Sequence, residues 1–193
     1  MSALLVYAED APASKPEAHT SAEEIAHQLS RHGVRFTRWP VRSEIGPASG
    51  EAEIMRAYAP EIEALSRAGG YRSTDVVRLR RDPADPGWPE KARAARLKFL
   101  EEHRHAEDEV RFFVDGTGLF ALRIDGKVLL VLCQAGDLLS VPAGTCHWFD
   151  MGSEPRFCAI RWFGSPEGWV AAFTGDAIAR RFPGFDEVAA RWR

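Results

Sequence analysis

The pattern of apolar and polar residues divides the chain near residue 103. Beyond that point, short apolar runs of strand length follow one another and are separated by turn residues. The runs predicted to be strands cover 110–114, 119–124, 128–133, 138–141 and 157–163. Aspartate–glycine pairs at 115–116 and 125–126 are typical of hairpin turns. Several evenly spaced strands of about five residues predict a small barrel or jelly roll.

The first half of the chain mixes helical and strand patterns. Ser21 and Glu24 form a capping box before Ile25 and Leu29, which share one side of a helix that ends at Gly33. Further helices are predicted over 51–68, with a break near Pro60, and over 90–100, and further strands over 3–7, 34–39 and 75–79. We expect this half to pack on the barrel.

Composition and charge exclude several classes of protein. With 45% apolar and 27% charged residues, the chain is typical of a soluble globular protein rather than a disordered or fibrous one. A net charge of −3 gives no basic excess for phosphates, so no nucleic-acid partner is predicted. No apolar run approaches the roughly 20 residues of a membrane helix, so no membrane partner is expected.

The N-terminus and the cysteines bear on location. Residues 1–10 lack the basic region of a signal peptide. The three cysteines are an odd number without CxxC spacing, which favours reduced thiols. We therefore predict a cytoplasmic protein, and we also predict a monomer.

A cluster of metal-ligand residue types begins the barrel half. His103 and His105 are spaced so that an extended strand places both rings on one face, about 7 Å apart along the chain. Glu109 follows after a charged segment, 106–108, that we expect to bend. Two imidazoles and a carboxylate suit Fe(II), Ni(II), Mn(II) or Zn(II). His147 lies 38 residues after Glu109, and an antiparallel return would place it opposite the first two histidines.

These residues carry a resemblance to a known family. The chain resembles the first cupin motif at His103, His105, Glu109 and Gly116. It resembles the second at Gly136, Pro142, Gly144 and His147. Met151 stands where many cupins have asparagine, so only the metal-site part of the second motif carries over. The segments 102–113, 141–152 and 166–169 are more specifically similar to acireductone dioxygenases of methionine salvage, with the strongest similarity over about 98–176.

The resemblance implies a fold and a domain organisation. The fold class is mainly β with helices (α+β), a cupin-type jelly-roll β-barrel with N-terminal helices packed on it. We predict a single domain over 1–193. Residues 1–97 form an N-terminal part of mixed helices and strands, and residues 98–176 form a metal-binding barrel core. Residues 177–193 form a C-terminal helical tail.

The resemblance also implies an activity. The substrates would be the acireductone 1,2-dihydroxy-3-keto-5-methylthiopentene and O2. An Fe2+ form would give 4-methylthio-2-oxobutanoate and formate, and a Ni2+ form 3-methylthiopropanoate, formate and carbon monoxide. One divalent metal per chain is expected, and the family's metal ligands match His103, His105, Glu109 and His147.

Four further residues are candidates for the substrate pocket. Arg111 lies two residues beyond Glu109, so its guanidinium can face the metal and stabilise an enediolate. The alternative is an arginine on the surface of an edge strand. Phe99, Phe149 and Trp169 match aromatic pocket positions of the family, and core packing is the alternative for them.

Two other functions stay open for a cupin. One is a sugar isomerase or epimerase, which often needs no metal, although a complete set of four ligands argues against it. The other is a noncatalytic metal-dependent binding protein. Bleaching of acireductone absorbance under air by metal-loaded protein, and not by apoprotein, would distinguish the dioxygenase from both.

Overall fold

The computed structural model describes residues 1–165 and 169–192, and strands dominate its second half. The strands are β1 (Ala3–Ala8), β2 (Glu17–His19), β3 (Arg35–Arg38), β4 (Ser73–Leu79), β5 (His103–Arg104), β6 (Glu109–Ile124), β7 (Lys127–Gln134), β8 (Asp137–Val141), β9 (Cys146–Asp150), β10 (Phe157–Phe163) and β11 (Ala172–Phe173). The helices are α1 (Ala22–Ser30), α2 (Glu51–Ala57), α3 (Ala59–Gly69), α4 (Trp88–Leu97) and α5 (Phe185–Ala190), with a 3₁₀ turn at Ile178–Arg181. The predicted mainly β fold with helices is confirmed.

Two antiparallel sheets share the long strand β6. One sheet has the order β11-β5-β9-β6-β7-β1-β2. In the other, β10 lies between β4 and β6, while β8 lies between β6 and β3. The first half of β6 pairs with β8 and β10, and its second half pairs with β7 and β9. The two sheets therefore close around one interior.

The hairpin predicted at residues 115–116 is wrong. The chain continues through Gly116 as part of the 16-residue strand β6. Gly116 has φ +75°, and a Cβ there would lie 1.9 Å from the carbonyl oxygen of Arg156. The register with β10 also shifts between Cys158 and Ala159, which leaves Val114 unpaired in a bulge just before Gly116. Glycine is needed at 116 because the backbone there has a positive φ and approaches Arg156 closely. The hairpin predicted at 125–126 is confirmed between β6 and β7.

The helices follow the predicted signals, with one difference. Ser21 caps α1 by accepting a hydrogen bond from the Glu24 amide, and the break near Pro60 separates α2 from α3. However, α4 covers Trp88–Leu97 and not 90–100. It ends early because the carbonyl of Phe99 accepts a hydrogen bond from the amide of Phe149 on β9. This contact draws the chain out of the helix toward β5.

The N-terminal helices pack on the barrel, as predicted. Ile25 and Leu29 of α1 belong to the apolar interior between the sheets. Ile54 and Tyr58, from the α2 region, pack on the outer face of β6 and β10, to which Trp162 belongs. Within the described residues, no helix combines the length and the apolar character needed to cross a bilayer.

Candidate metal centre

The barrel brings the four predicted metal ligands together. His103 on β5 pairs directly with His147 on β9, which is the antiparallel return expected from the sequence. The chain leaves β5 after residue 104 and bends at 106–107, so His105 and Glu109 reach the cluster from either side of the bend. One ligand atom from each residue lies within 4.8 Å of those of the others, and all four residues are buried.

Backbone carbonyl groups orient all three imidazole rings. Nδ1 of His103, His105 and His147 lies 2.7, 3.0 and 2.8 Å from a carbonyl oxygen. Since a carbonyl oxygen only accepts, Nδ1 carries the proton and donates it. In a neutral ring this leaves a lone pair on Nε2, the arrangement that metal-binding histidines adopt. Burial also lowers the pKa of His103 to about 4, which keeps that ring neutral.

Glu109 supplies the negative charge of the cluster. One carboxylate oxygen lies 2.9 Å from Nε2 of His147 and 3.2 Å from Nε2 of His105. Burial raises the pKa of the Glu109 carboxyl, but the charge of Arg111, together with hydrogen bonds from His105 and His147 when those rings are protonated, holds the pKa well below its usual range. When the rings are neutral, their Nε2 atoms and the carboxylate oxygen are all acceptors, so a cation among them would relieve their repulsion. Three imidazole nitrogens and one carboxylate therefore fit a divalent transition metal.

Arg111 lies beside this cluster. Its guanidinium is 2.7 Å from the free oxygen of Glu109, and only 4% of its side chain is exposed. The alternative of an arginine on the surface is therefore wrong. The guanidinium carbon lies 4.6 Å from the ring centre of Phe149 and 5.1 Å from that of Trp169. Among the described residues, Nε of Arg111 is buried and has no hydrogen-bond partner.

A cavity of about 660 Å³ opens from the cluster at His105. Its apolar wall consists of Phe99, Phe163, Trp169, Ala171 and Phe173, and its polar wall of Ser73, Thr74, Asp75, Lys98, Arg161 and Ser165. Phe99 and Trp169 thus lie at the cavity, as the sequence predicts. Phe149 lies deeper, in the barrel interior beside Phe120 and Phe157. The Phe149 ring contacts the guanidinium of Arg111, which lies between it and the metal cluster.

Some residues of the cavity lie outside the cupin motifs. Phe163 ends β10 and Phe173 belongs to the two-residue strand β11, so neither lies in a cupin motif. The alternation of side chains along β10 was the signal that could have placed Arg161 and Phe163 on the face of the barrel interior. Of the motif at 166–169, residues 166–168 lie outside the described part of the chain, and Trp169 lies within it.

Comparisons with known proteins agree with this site. The sequence profile of the ARD/ARD′ family matches residues 4–171. The chain is 50% identical over 188 residues to acireductone dioxygenase 2 of Nocardia farcinica, covering 97% of this chain and 98% of that one. It is 55% identical over 184 residues to the acireductone dioxygenase of Citrobacter koseri, covering 95% and 98%.

A solved structure has the same fold. Acireductone dioxygenase from Bacillus anthracis superposes with a TM-score of 0.75 at 29% identity, covering 90% of this chain and 98% of that one. The predicted cupin-type barrel is thereby confirmed. The profile match over most of the chain and relatives at half identity or more show that this chain belongs to the ARD/ARD′ family, the acireductone dioxygenases.

Proposed function

We propose that His103, His105, Glu109 and His147 hold one Fe2+ or Ni2+ ion. The observation that carries this proposal is the convergence of their ligand atoms within 4.8 Å at the inner end of the cavity. The orientation of the three rings supports it, because each presents Nε2 to the cluster. The Bacillus anthracis relative, which has a cadmium ion in its active center, supports a divalent cation as the occupant.

The proposed reaction is the cleavage of 1,2-dihydroxy-3-keto-5-methylthiopentene by O2 in methionine salvage. With Fe2+ the products are 4-methylthio-2-oxobutanoate and formate. With Ni2+ they are 3-methylthiopropanoate, formate and carbon monoxide. When bound, either ion supplies a Lewis acid and a template for the substrate oxygens.

The protein's own groups bind and shield the substrate. Arg111 has a positive charge beside the cluster and a free Nε donor, so it stabilises the negative charge of an ionised acireductone. Phe99 and Trp169, on the apolar wall of the cavity, cover the methylthio chain and exclude water from it. Glu109, held ionised, balances part of the charge of the ion.

A reloading experiment tests both metal forms. Apoprotein from one preparation is divided and reloaded with Fe2+ without oxygen or with Ni2+, and both halves then receive acireductone and air. Absorbance reports loss of the substrate, and chromatography measures carbon monoxide and the two methylthio acids. We expect carbon monoxide only with Ni2+ and 4-methylthio-2-oxobutanoate mainly with Fe2+, since one ligand set serves both ions.

Apoprotein without added metal is the control for that experiment, and it should not bleach the substrate. The same products from both halves would show that the cavity alone decides which bonds break, and this would contradict the metal dependence. Metal binding without turnover in either half would favour the noncatalytic binding protein.

Location and assembly belong to this proposal as well. We propose a cytoplasmic location, supported by Cys133, Cys146 and Cys158, none of which is in a disulfide. We also propose that the protein is a monomer. Sedimentation of the metal-loaded protein at several concentrations tests the monomer. Fractionation of the source cells tests the location.

A further inference from the structure

Three charged residues form a row across the sheet beside the cavity. Asp75 on β4 pairs directly with Arg161 on β10, and Arg161 pairs directly with Arg111 on β6. On each strand, a residue two positions from the row belongs to the apolar interior of the barrel. These residues are Val77, Ala159 and Phe113. Because side chains alternate along a strand, all three members of the row lie on the interior face.

The outer pair of this row is bidentate. Nε and Nη2 of Arg161 donate to the two carboxylate oxygens of Asp75 at 2.8 and 2.6 Å. The side chains are 25% and 40% exposed, and ion pairs at such exposure contribute little to stability. Two parallel hydrogen bonds do, however, fix the plane of a guanidinium. The main effect of Asp75 is therefore on the orientation of Arg161.

Arg161 in turn contacts the aromatic wall. Its guanidinium carbon lies 5.5 Å from the ring centre of Trp169 and 5.2 Å from that of Phe163. The guanidinium of Arg111 lies 5.1 Å from the same Trp169 ring. Trp169 also donates Nε1 to the carbonyl of Asp108 at 3.2 Å. Its ring is thus held by two cations and one hydrogen bond, stacked 6.1 Å from the ring of His105.

We propose that Asp75 is a positioning residue of this cavity. It fixes the guanidinium of Arg161, and Arg161 holds the Trp169 ring against the wall beside the metal cluster. Because the kinetic consequence rests on the proposed function, the substrate is taken to be the acireductone. Without Asp75, Arg161 loses its fixed plane, Trp169 becomes mobile, and the chain of the substrate is bound less tightly.

Four variants separate orientation from charge. Asp75→Asn removes the partner, Arg161→Met removes the cation, Arg161→Lys keeps the cation without the fork, and a double variant combines the first two. Arg78→Met is the matched control, since Arg78 lies on the other face of β4 and donates to the carbonyl of Pro47. Far-UV circular dichroism and metal content establish that each variant is folded and loaded.

Steady-state kinetics with the metal-loaded protein give the first measurement. Loss of one cation–π contact predicts a KM increase of about three- to tenfold for Asp75→Asn, with kcat changed less than KM. The double variant should be no worse than Arg161→Met, because Asp75 acts through Arg161. Arg161→Lys should resemble Asp75→Asn, and Arg78→Met should resemble the wild type.

Fluorescence gives a second measurement that needs no turnover. Acrylamide quenching of Trp169 is obtained by comparing each protein with its Trp169→Phe counterpart, in the absence of substrate. Quenching of the Trp169 component should increase in Asp75→Asn and Arg161→Lys, and it should stay unchanged in Arg78→Met.

Several outcomes would overturn the proposal. These are unchanged KM and quenching in Asp75→Asn, full rescue by Arg161→Lys, or additive effects in the double variant. If Asp75→Asn does not fold, Arg161→Lys carries the same test. Wild-type protein that binds metal but consumes no acireductone would refute the proposed function, and the quenching measurement would still decide whether Asp75 positions Trp169.

Discussion

At the scale of single residues, backbone carbonyl groups decide how the histidines face the cluster. Each Nδ1 donates to a carbonyl oxygen supplied by the chain near a strand end, and this turns the Nε2 atoms of the three rings toward the cluster. Glu109 is held between two of these rings and Arg111. The site is therefore organised in part by the carbonyl groups of Glu101 and Val170, which lie just outside the segments that carry the resemblance.

Removal of one imidazole tests whether these residues hold the ion. We predict that His103→Ala and His105→Ala each lower metal affinity by more than about 100-fold, because each removes a ligand, a larger loss than that of an orienting partner. Metal content after dialysis against a weak chelator is the measurement. His27→Ala is the control, since His27 is exposed on α1 and should leave metal content unchanged. Stoichiometric metal in both ligand variants would contradict the assignment.

Arg111 tests the stabilisation of substrate charge. We predict that Arg111→Ala lowers turnover about tenfold or more, since a charge-assisted hydrogen bond contributes about 1.5–3 kcal/mol. Metal content at saturating metal should stay nearly unchanged, because the guanidinium binds Glu109 through the oxygen turned away from His105 and His147. Arg111→Lys controls for loss of core volume. Unchanged turnover in Arg111→Ala would show that the guanidinium does not act on the substrate.

At the scale of elements, the sequence predicts strands better than it predicts their ends. Gly116 looks like a turn residue in the sequence, yet β6 continues through it. Glycine is required there because the backbone of Arg156 approaches too closely for a side chain. The pattern does not mark β9, because this strand is buried on both faces: His147 faces the barrel interior and Trp148 faces the C-terminal tail. Alternation of apolar and polar residues disappears under those conditions.

The metal ligands could be predicted from the sequence, whereas much of the cavity could not. Ligand spacing is local, so the two histidine motifs identify all four members of the cluster. The cavity depends on the register of distant strands, and Asp75 and Arg161 are 86 residues apart. A single sequence contains no register between β4 and β10, and therefore the charged row of the cavity could not be predicted.

Asp150 joins three elements and gives an element-scale prediction. It receives two hydrogen bonds from Arg96 of α4, at 2.7 and 2.9 Å, and one each from the amides of Gly152 and Phe185. Burial raises the pKa of this carboxyl, but these donors outweigh it and the pKa lies below its ordinary value. Asp150→Asn should therefore lower the free energy of unfolding by about 2 kcal/mol at pH 7, since the buried pair loses its charge.

The pH dependence of that loss has a definite sign. A carboxyl whose pKa is lowered by folding stabilises the protein at pH values above its unfolded-state pKa. This contribution disappears as the pH falls through the folded-state pKa. The difference in Tm between wild type and Asp150→Asn should thus shrink in acid. Asp125→Asn is the control: the Asp125 side chain is 71% exposed beside His32, so its loss should change Tm little at pH 7. A difference that grows in acid would contradict this role of Asp150.

At the scale of the whole molecule, the N-terminal part supplies strands to both sheets. Strand β1 pairs with β7, β3 with β8, and β4 with β10. Leu5 and Tyr7 of β1 share one apolar cluster with Ile178, Phe182 and Val188 of the C-terminal tail. The three parts of the chain that sequence similarity distinguishes are therefore interleaved in space.

This interleaving predicts that the chain unfolds as one unit. A fragment over 98–193 would expose the edges of β7, β8 and β10 and the apolar surface that the N-terminal part covers, so we expect it not to fold. Calorimetry of the full chain should give one transition with equal calorimetric and van't Hoff enthalpies. The measurement on the fragment is its amide proton spectrum, which should lack the dispersion of the full chain. A dispersed spectrum with a separate melting transition would mean that residues 98–193 form an independent domain, and the prediction of a single domain over 1–193 would then be wrong.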